Sequence, residues 1–308
     1  MTLDLEMPRM DGLEALRQIT RNYRLPVVVV SAHSVNGATA TFKALSLGAF
    51  DFVPKPFDAA QARMDGIAQQ LVSKVKAAAK SGAPKQGVAV PENFRPQKPV
   101  RRTQRPSEKI VAIGISTGGP QALQYLLSQL PGDFGGALVV VQHMPEGFTE
   151  LFARRLNECC AIDVKEARSG DMLLAGRALI CPGNRHLRVR RMPLGNVIVL
   201  GDDDKVNGHR PSVDVLFESI GAEFGSKAIA VLMTGMGEDG AEGLGLVKAA
   251  GGLTVAQDEQ SCVVFGMPKA AIERGYAMRV MPLDALANML IRHCAGVQVQ
   301  RAAVTVDA

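Results

Sequence analysis

"VAIGISTGGPQAL" occupies residues 111–123, and its reading decides the fold. An apolar, β-branched run stops at Ser116, glycines surround that serine, and a helical pattern starts behind them. A buried strand that turns sharply into a helix is the repeating unit of parallel α/β sheets. Three uses of such a turn compete: a phosphate-binding turn, a nucleophile elbow, or a plain tight turn. The phosphate reading needs G-x-G-x-x-G and an acid at the end of the next strand. Here Gly114-Ile115-Ser116-Thr117-Gly118-Gly119 has serine in place of the second glycine, the next strand runs into Gln142-His143, and no Walker lysine follows. The stretch does fit G-x-S-x-G, in which small neighbours let the turn expose the hydroxyl. The helix start behind it offers free N–H groups that favour negative charge, as a tetrahedral oxyanion needs. A serine that merely caps the helix remains the bland alternative.

Working outward, the same alternation recurs. Ile110–Ile115, Ala137–Gln142, 178–181, 197–200, 228–233 and 253–256 read as strands, with helical patterns between several of them. This predicts a parallel sheet covered on both faces, with its site at the carboxyl ends of the strands. Ser116, His143 and Asp239 each follow a strand candidate. A serine at its ordinary pKa is a weak nucleophile; it needs a base, and the base needs an orienting acid. The order Ser…His…Asp differs from the Ser…Asp…His of α/β-hydrolases, which points to another fold. Among the five histidines, His33, His186, His209 and His293 compete with His143 as base, His209 in "NGHRPSVD" being second. Asp239 in "GEDGAEG" also suits an ordinary turn.

Upstream, "LPVVVVSA" reads as a buried strand, "GATATFKALSLG" as a helix with a glycine stop, and "AFDFVPKPF" as a short strand entering a loop. "DAAQARMDGIAQQLVSKVKAAAK" reads as an amphipathic helix. Residues 81–107, with five prolines and little periodicity, read as a linker between residues 1–80 and 108–300. The net charge is +5, but ten Lys/Arg against two acids lie between Lys74 and Lys109, so the rest of the chain is acidic. That tract lacks the interleaved aromatics of a single-strand binder and reads as a solvated linker rather than a nucleic-acid site. With 308 residues, 47% hydrophobic and 21% charged, the composition is globular. No apolar run reaches bilayer length, the start lacks a signal peptide's basic region, and the five cysteines form no C-x-x-C pair. A reduced, cytoplasmic setting without membrane insertion is expected.

The stretches "IGISTGGPQAL", "QHMPEGFTELFARRLN", "CPGNRHL", "HRPSVDVLFESI", "LMTGMGEDGAEGL" and "AQDEQSCVVFGMPKAAIERG" closely resemble the catalytic domain of the chemotaxis protein-glutamate methylesterases, the CheB family. The resemblance implies a doubly wound, mostly parallel α/β domain with Ser116 as nucleophile, His143 as general base and Asp239 as its orienting partner. It implies methylesterase and glutamine-deamidase activity on chemoreceptors, with no metal in that step. Backbone N–H groups near Thr117 and Met236 are the oxyanion-hole candidates, and His209 and Arg210 are expected at the rim or in a structural role. A monomer is expected.

Residues 1–80 resemble a flavodoxin-like response-regulator receiver. "TLDLEMPRMDGLEAL" implies Asp4 as phosphoacceptor, "VVVVSAHS" implies Ser31, and "FVPKPF" implies Lys55, as contacts of the phosphoryl group. The family's kinase would be the phosphodonor and Mg²⁺ the ion that neutralises the transferring oxygens. The first strand, first helix and second strand of a receiver of about 120 residues are absent here, and with them the acid pair that holds Mg²⁺. We read this as a fragment or a start placed too far downstream, and expect esterase activity released from receiver control. The alternatives are a non-catalytic module that binds receptors, and a hydrolase of the same fold with another substrate.

Overall fold

The structure is a computed structural model that describes residues 1–8, 10–23, 25–32, 34–55, 64–81 and 105–295. His33, most of the proline-rich linker and the start of the amphipathic helix lie outside them.

The quoted stretch forms β4 (Ile110–Ile115), buried along its whole length, followed by α4 (Gly119–Ser128). Burial on both faces explains its unbroken apolar sequence. Side chains alternate: Val111, Ile113 and Ile115 point into one core, Ile110 and Ala112 into the other. The first core is closed by α4, α5 (Thr149–Cys159) and α9 (Leu283–Cys294), the second by α6 (Val213–Phe224), α7 (Ala241–Ala249) and α8 (Met267–Glu273).

The remaining strands are β5 (Ala137–Gln142), β6 (Asp163–Glu166), β7 (Arg177–Ile180), β10 (Ala228–Leu232), β11 (Leu253–Gln257) and β12 (Arg279–Met281). With β4 they make a seven-stranded sheet in the order β12-β11-β10-β4-β5-β7-β6. Every pair is parallel. The fold is therefore a doubly wound α/β sheet. The chain leaves β4 towards β5 and later returns to its other side at β10. The end of β4 is thus the switch point of the sheet, where a crevice opens.

One strand expectation needs correction. Residues 197–200 do form a strand, β9 (Gly195–Gly201), but outside the parallel sheet: it pairs antiparallel with β8 (His186–Met192) in a separate hairpin. Leu187, Val189 and Ile198 face the second core, while Arg190 and Arg191 on β8 are exposed. A strand with arginines on its outer face cannot sit inside a sheet covered on both sides. Of the edge strands, β6 carries too many polar residues to be read as a buried strand, and β12 is only three residues long.

The first part has the strands β1 (Thr2–Asp4), β2 (Val28–Ser31) and β3 (Asp51–Pro54) in one parallel sheet, with α1 (Gly12–Asn22), α2 (Val35–Ser46) and α3 (Met64–Ser81). It is docked on the second part through an aromatic seam. Phe42 stacks on Phe152 at 5.5 Å between centroids, and Phe52 stacks on Phe148 at 5.0 Å. Gln121 of α4 donates to the carbonyls of Ala49 and Leu45 at 3.1 and 3.3 Å. Val264 packs against a second patch that includes Val28, Phe50, Val53 and Ala78. At the end of the linker, Ala175 N donates to Arg105 O, Ser107 N donates to Leu173 O, and Pro106 bridges to Leu174. Residues 105–107 thus already belong to the second part. No helix among the described residues is long and apolar enough to cross a membrane.

Candidate active site

The sheet register brings two of the expected residues together. Ile115 of β4 pairs with Gln142 of β5, so Ser116 and His143 leave neighbouring strands side by side. His143 N donates to Ile115 O at 3.1 Å, and Ser116 N donates to Thr234 O at 3.0 Å on the other flank. The buried Gln142 ties the turns together: its Nε2 donates to Ser116 O at 3.0 Å and to His143 O at 3.2 Å.

Ser116 is not the helix cap. The N-cap of α4 is Gly118, in the left-handed region at φ 76°, and no side chain caps that helix. A Cβ at Gly118 would lie 2.5 Å from Val263, so glycine serves both the conformation and the fit. The Ser116 hydroxyl is left uncommitted among the described residues. Gly235 keeps the space beside it open, since a Cβ there would stand 2.8 Å from the Ser116 Cβ.

Asp239 arrives from the glycine-rich loop after β10. It is buried, and its Oδ2 accepts from His143 Nε2 at 2.8 Å and from Val213 N at 2.7 Å. Its Oδ1 accepts from Ser212 Oγ at 2.7 Å and from Asn207 Nδ2 at 3.2 Å. Burial alone would push this carboxyl up; the bonds from His143, Ser212 and Val213 outweigh it and hold the pKa well below the ordinary carboxylate range. With Nε2 committed to Asp239, Nδ1 of His143 is the free nitrogen, and it is buried without a hydrogen-bond partner. Neither Thr117 N nor Met236 N donates to a protein acceptor among the described residues.

The other histidines sort by environment. His186 is fully buried, with Nε2 on Asp204 O and Nδ1 accepting from Ser212 N. His293 bonds to Met289 O within α9. His209, expected at the rim or in a structural role and second in line as base, lies with its ring flat on that of His143, 3.9 Å between centroids and 5° from parallel. Asn207, Ser212 and His209 were not read as partners of the base. The signal was the Asn-Gly dipeptide at 207–208, a turn signature that folds "NGHRPS" back over the site.

In the first part, Asp4 ends β1 and Lys55 follows β3, and their side chains meet at 2.7 Å. Burial raises the Asp4 carboxyl slightly, but Lys55 and the Glu6 N–H hold it below its ordinary value. Ser31 ends β2 as expected, yet its hydroxyl donates to Gly37 O at 3.0 Å and accepts from Thr41 at 2.5 Å, with no bond to Asp4 or Lys55. Among the described residues no group of three or more His, Cys, Asp or Glu is arranged to hold a metal ion. Asp4, engaged by Lys55, does not by itself fit the Mg²⁺ expected of a receiver.

A hydroxyl at a strand-to-helix turn, an imidazole on the next strand and a buried carboxylate behind it define a serine hydrolase built on a doubly wound sheet. The comparisons narrow the class. Residues 111–290 match the CheB methylesterase family, and residues 1–64 match the response regulator receiver domain. A protein-glutamate methylesterase/protein-glutamine glutaminase of Koribacter versatilis is 59% identical over 296 residues, covering 94% of this chain and 82% of the relative. A Pseudomonas aeruginosa protein of the same description is 43% identical over 294 residues, covering 96% and 83%. The crystal structure of the Thermotoga maritima CheB methylesterase catalytic domain superposes with a TM-score of 0.59 at 44% identity, covering 60% of this chain and 97% of that one. The chain belongs to the CheB methylesterase family and carries receiver sequence at its N-terminal end.

Proposed function

We propose that the protein is a methylesterase and glutamine deamidase that removes methyl groups from chemoreceptor glutamates and deamidates receptor glutamines. The observation that carries the reading is the 2.8 Å bond between His143 and Asp239, with a bare, buried Nδ1 on the residue that leaves the strand next to that of Ser116. Ser116 Oγ attacks the ester carbonyl as its proton passes to His143 Nδ1. Asp239, ionised and locked to Nε2–H, stabilises the imidazolium that forms. Thr117 N and Met236 N take the oxyanion. The tetrahedral adduct collapses, the C–O bond to methoxide breaks, and Nδ1 returns the proton, so methanol leaves. Water then attacks the acyl-serine, giving its proton to Nδ1; the bond to Ser116 Oγ breaks, Nδ1 returns the proton to that oxygen, and free glutamate is released. With an amide substrate the leaving group is ammonia. The open Ser116–His143 geometry suits a free enzyme, in which catalytic hydrogen bonds often tighten only when substrate binds.

Asp4, held by Lys55, is the proposed site of phosphorylation by a partner kinase. The residues described around Asp4 do not by themselves fit Mg²⁺. The test is methanol release from membranes carrying methylated receptors, with and without a small phosphodonor and Mg²⁺. Release by the unmodified chain, and a fall in kcat of roughly 10⁶ in Ser116→Ala, is the expected result. Release that persists in Ser116→Ala rules out the nucleophile. No release by any form moves the weight to a binding module. Release that ignores the phosphodonor shows that Asp4 no longer controls the site.

A further inference from the structure

We infer that the turn Val206–His209 is a positioning clamp for the proton-handling pair: His209 covers the face of the His143 ring while Asn207 holds the far oxygen of Asp239. The inference rests on the reading of His143 as general base. It concerns residues that act through that base, not on the substrate.

His143 has one hydrogen bond from its ring, to Asp239, and the other ring nitrogen has none. One bond fixes a point, and the imidazole remains free to pivot about it. A second ring at 3.9 Å and 5° from parallel fixes the plane. With the plane fixed, the direction of the Nδ1 lone pair is fixed too. Asp239 is held in the same way. Asn207 Nδ2 reaches its Oδ1 at 3.2 Å, and the same nitrogen bonds Asp214 Oδ2 at 2.6 Å. One loop therefore grips both the base and the acid that orients it.

The loop is built for that purpose. Val206 N donates to His209 O at 3.1 Å, and His209 N donates to Val206 O at 2.9 Å. Asn207 and Gly208 have φ of 52° and 76°, the left-handed pair that closes a two-residue hairpin turn. Arg210, next in sequence, is pinned by Asn184 Oδ1 at 2.8 Å and by the carbonyls of Asp202 and Asp203 at 2.7 and 3.0 Å. His209 is also the right kind of cover. Burial and the neighbouring His143 push its pKa down to about 4, so it is neutral near pH 7 and does not repel the imidazolium formed beneath it.

The ionisable groups that face His143 are Asp239 on the loop after β10 and His209 on the clamp turn; behind them stand Lys205, which acts on His209, Asp214 on α6, which shares Asn207 with Asp239, and His186, which accepts from Ser212 N. Asn207→Asp adds a carboxylate to this set and keeps the turn, because aspartate tolerates the left-handed region. An added negative charge favours the protonated imidazole. The neutral base is then available only at higher pH, and the acid limb of kcat/KM moves up.

The experiment measures methanol release against pH for the full chain and four variants: His209→Ala, His209→Phe, Asn207→Gly and Asn207→Asp. Far-ultraviolet circular dichroism confirms folding, and Ser116→Ala is the control. The expected pattern has three parts. His209→Ala and Asn207→Gly lower kcat about 10- to 100-fold, with KM within about two-fold, the range seen when a group that orients a functional side chain is lost. His209→Phe recovers to within about five-fold, because a flat ring is retained. Asn207→Asp moves the acid limb up by about one pH unit. Unchanged kcat in His209→Ala, together with an unmoved limb in Asn207→Asp, overturns the clamp. So does His209→Phe failing as badly as His209→Ala, since the imidazole would then be needed for its own chemistry. A Ser116→Ala chain that still releases methanol overturns the active-site reading instead, so the two failures are distinguishable.

Discussion

At the scale of single residues, three groups of the site have displaced pKa values: His209 and Asp239 are lowered, while Asp214, chiefly through burial, is raised to about 6. The pKa of His209 falls from 6.5 to about 4 because the folded ring is buried against His143. Between those values the unfolded chain binds a proton that the native His209 refuses, so the contribution of His209 to stability declines as pH falls through that window, while that of Asp214, whose pKa is raised to about 6, grows. Asp239 works lower down. Its depressed pKa contributes stability that is complete above the unfolded value of about 3.9 and is lost as pH falls below it. His209→Phe keeps a ring over His143 and removes the first effect only. Its unfolding free energy relative to the parent chain should therefore grow as pH drops from 6.5 to 4.5, by on the order of 1–2 kcal/mol. Urea unfolding at several pH values measures this. A difference that stays constant across the window would show that the His209 pKa is not displaced by folding.

At the scale of elements, the turn after β4 does the positioning, and Gln142 shows how. It is almost fully buried, and its amide nitrogen joins the carbonyls of Ser116 and His143, the two residues that must meet. Gln142→Leu fills the same space but strands both carbonyls. We expect a loss of about 1–3 kcal/mol in stability, the cost of an unsatisfied buried acceptor. We also expect a larger fractional fall in kcat than in 1/KM, because the turns drift before the fold fails. A variant with normal kcat and lowered stability would confine Gln142 to the core.

The same element shows what the sequence reveals. The strand–turn–helix around Ser116 is legible because burial on both faces writes an unbroken apolar run, and because glycine marks the sharp turn. His143 is legible because β5 has the same signature. Asp239 is legible only in company, since a glycine-rich loop with an acid is also an ordinary turn. The stack of His209 on His143 is not legible at all. It depends on where a turn some 60 residues downstream folds back in space, and no local periodicity encodes that contact. The β8–β9 hairpin misleads for a related reason: Val197–Leu200 is locally as apolar as a central strand, and only its arginine-rich partner excludes it from the sheet.

At the scale of the whole molecule, the first part is more than a tethered remnant. Phe42, Phe52, Phe148 and Phe152 join both parts into one continuous core. The Val264 contact lies close to Ser116: Gly235 N donates to Val264 O, and Gly235 abuts Ser116. Against the released activity expected from the sequence, a part docked there predicts that the approach of a large substrate is obstructed while the chemistry stays intact. A chain cut to residues 105–308 should therefore release methanol from receptor membranes at least several-fold faster than the full chain, while hydrolysing a small methyl ester within about two-fold of the same rate. Phe42→Ala in the full chain should move partway in the same direction, because it removes the aromatic that stacks on Phe152 and meets Phe148 edge-on at 6.4 Å. Equal receptor rates for the full and cut chains would mean that the docked part does not shield the site and that receiver control is already lost. A parallel rise on both substrates would instead place the restraint in the site itself, carried through Val264 and Gly235 to the position of Ser116.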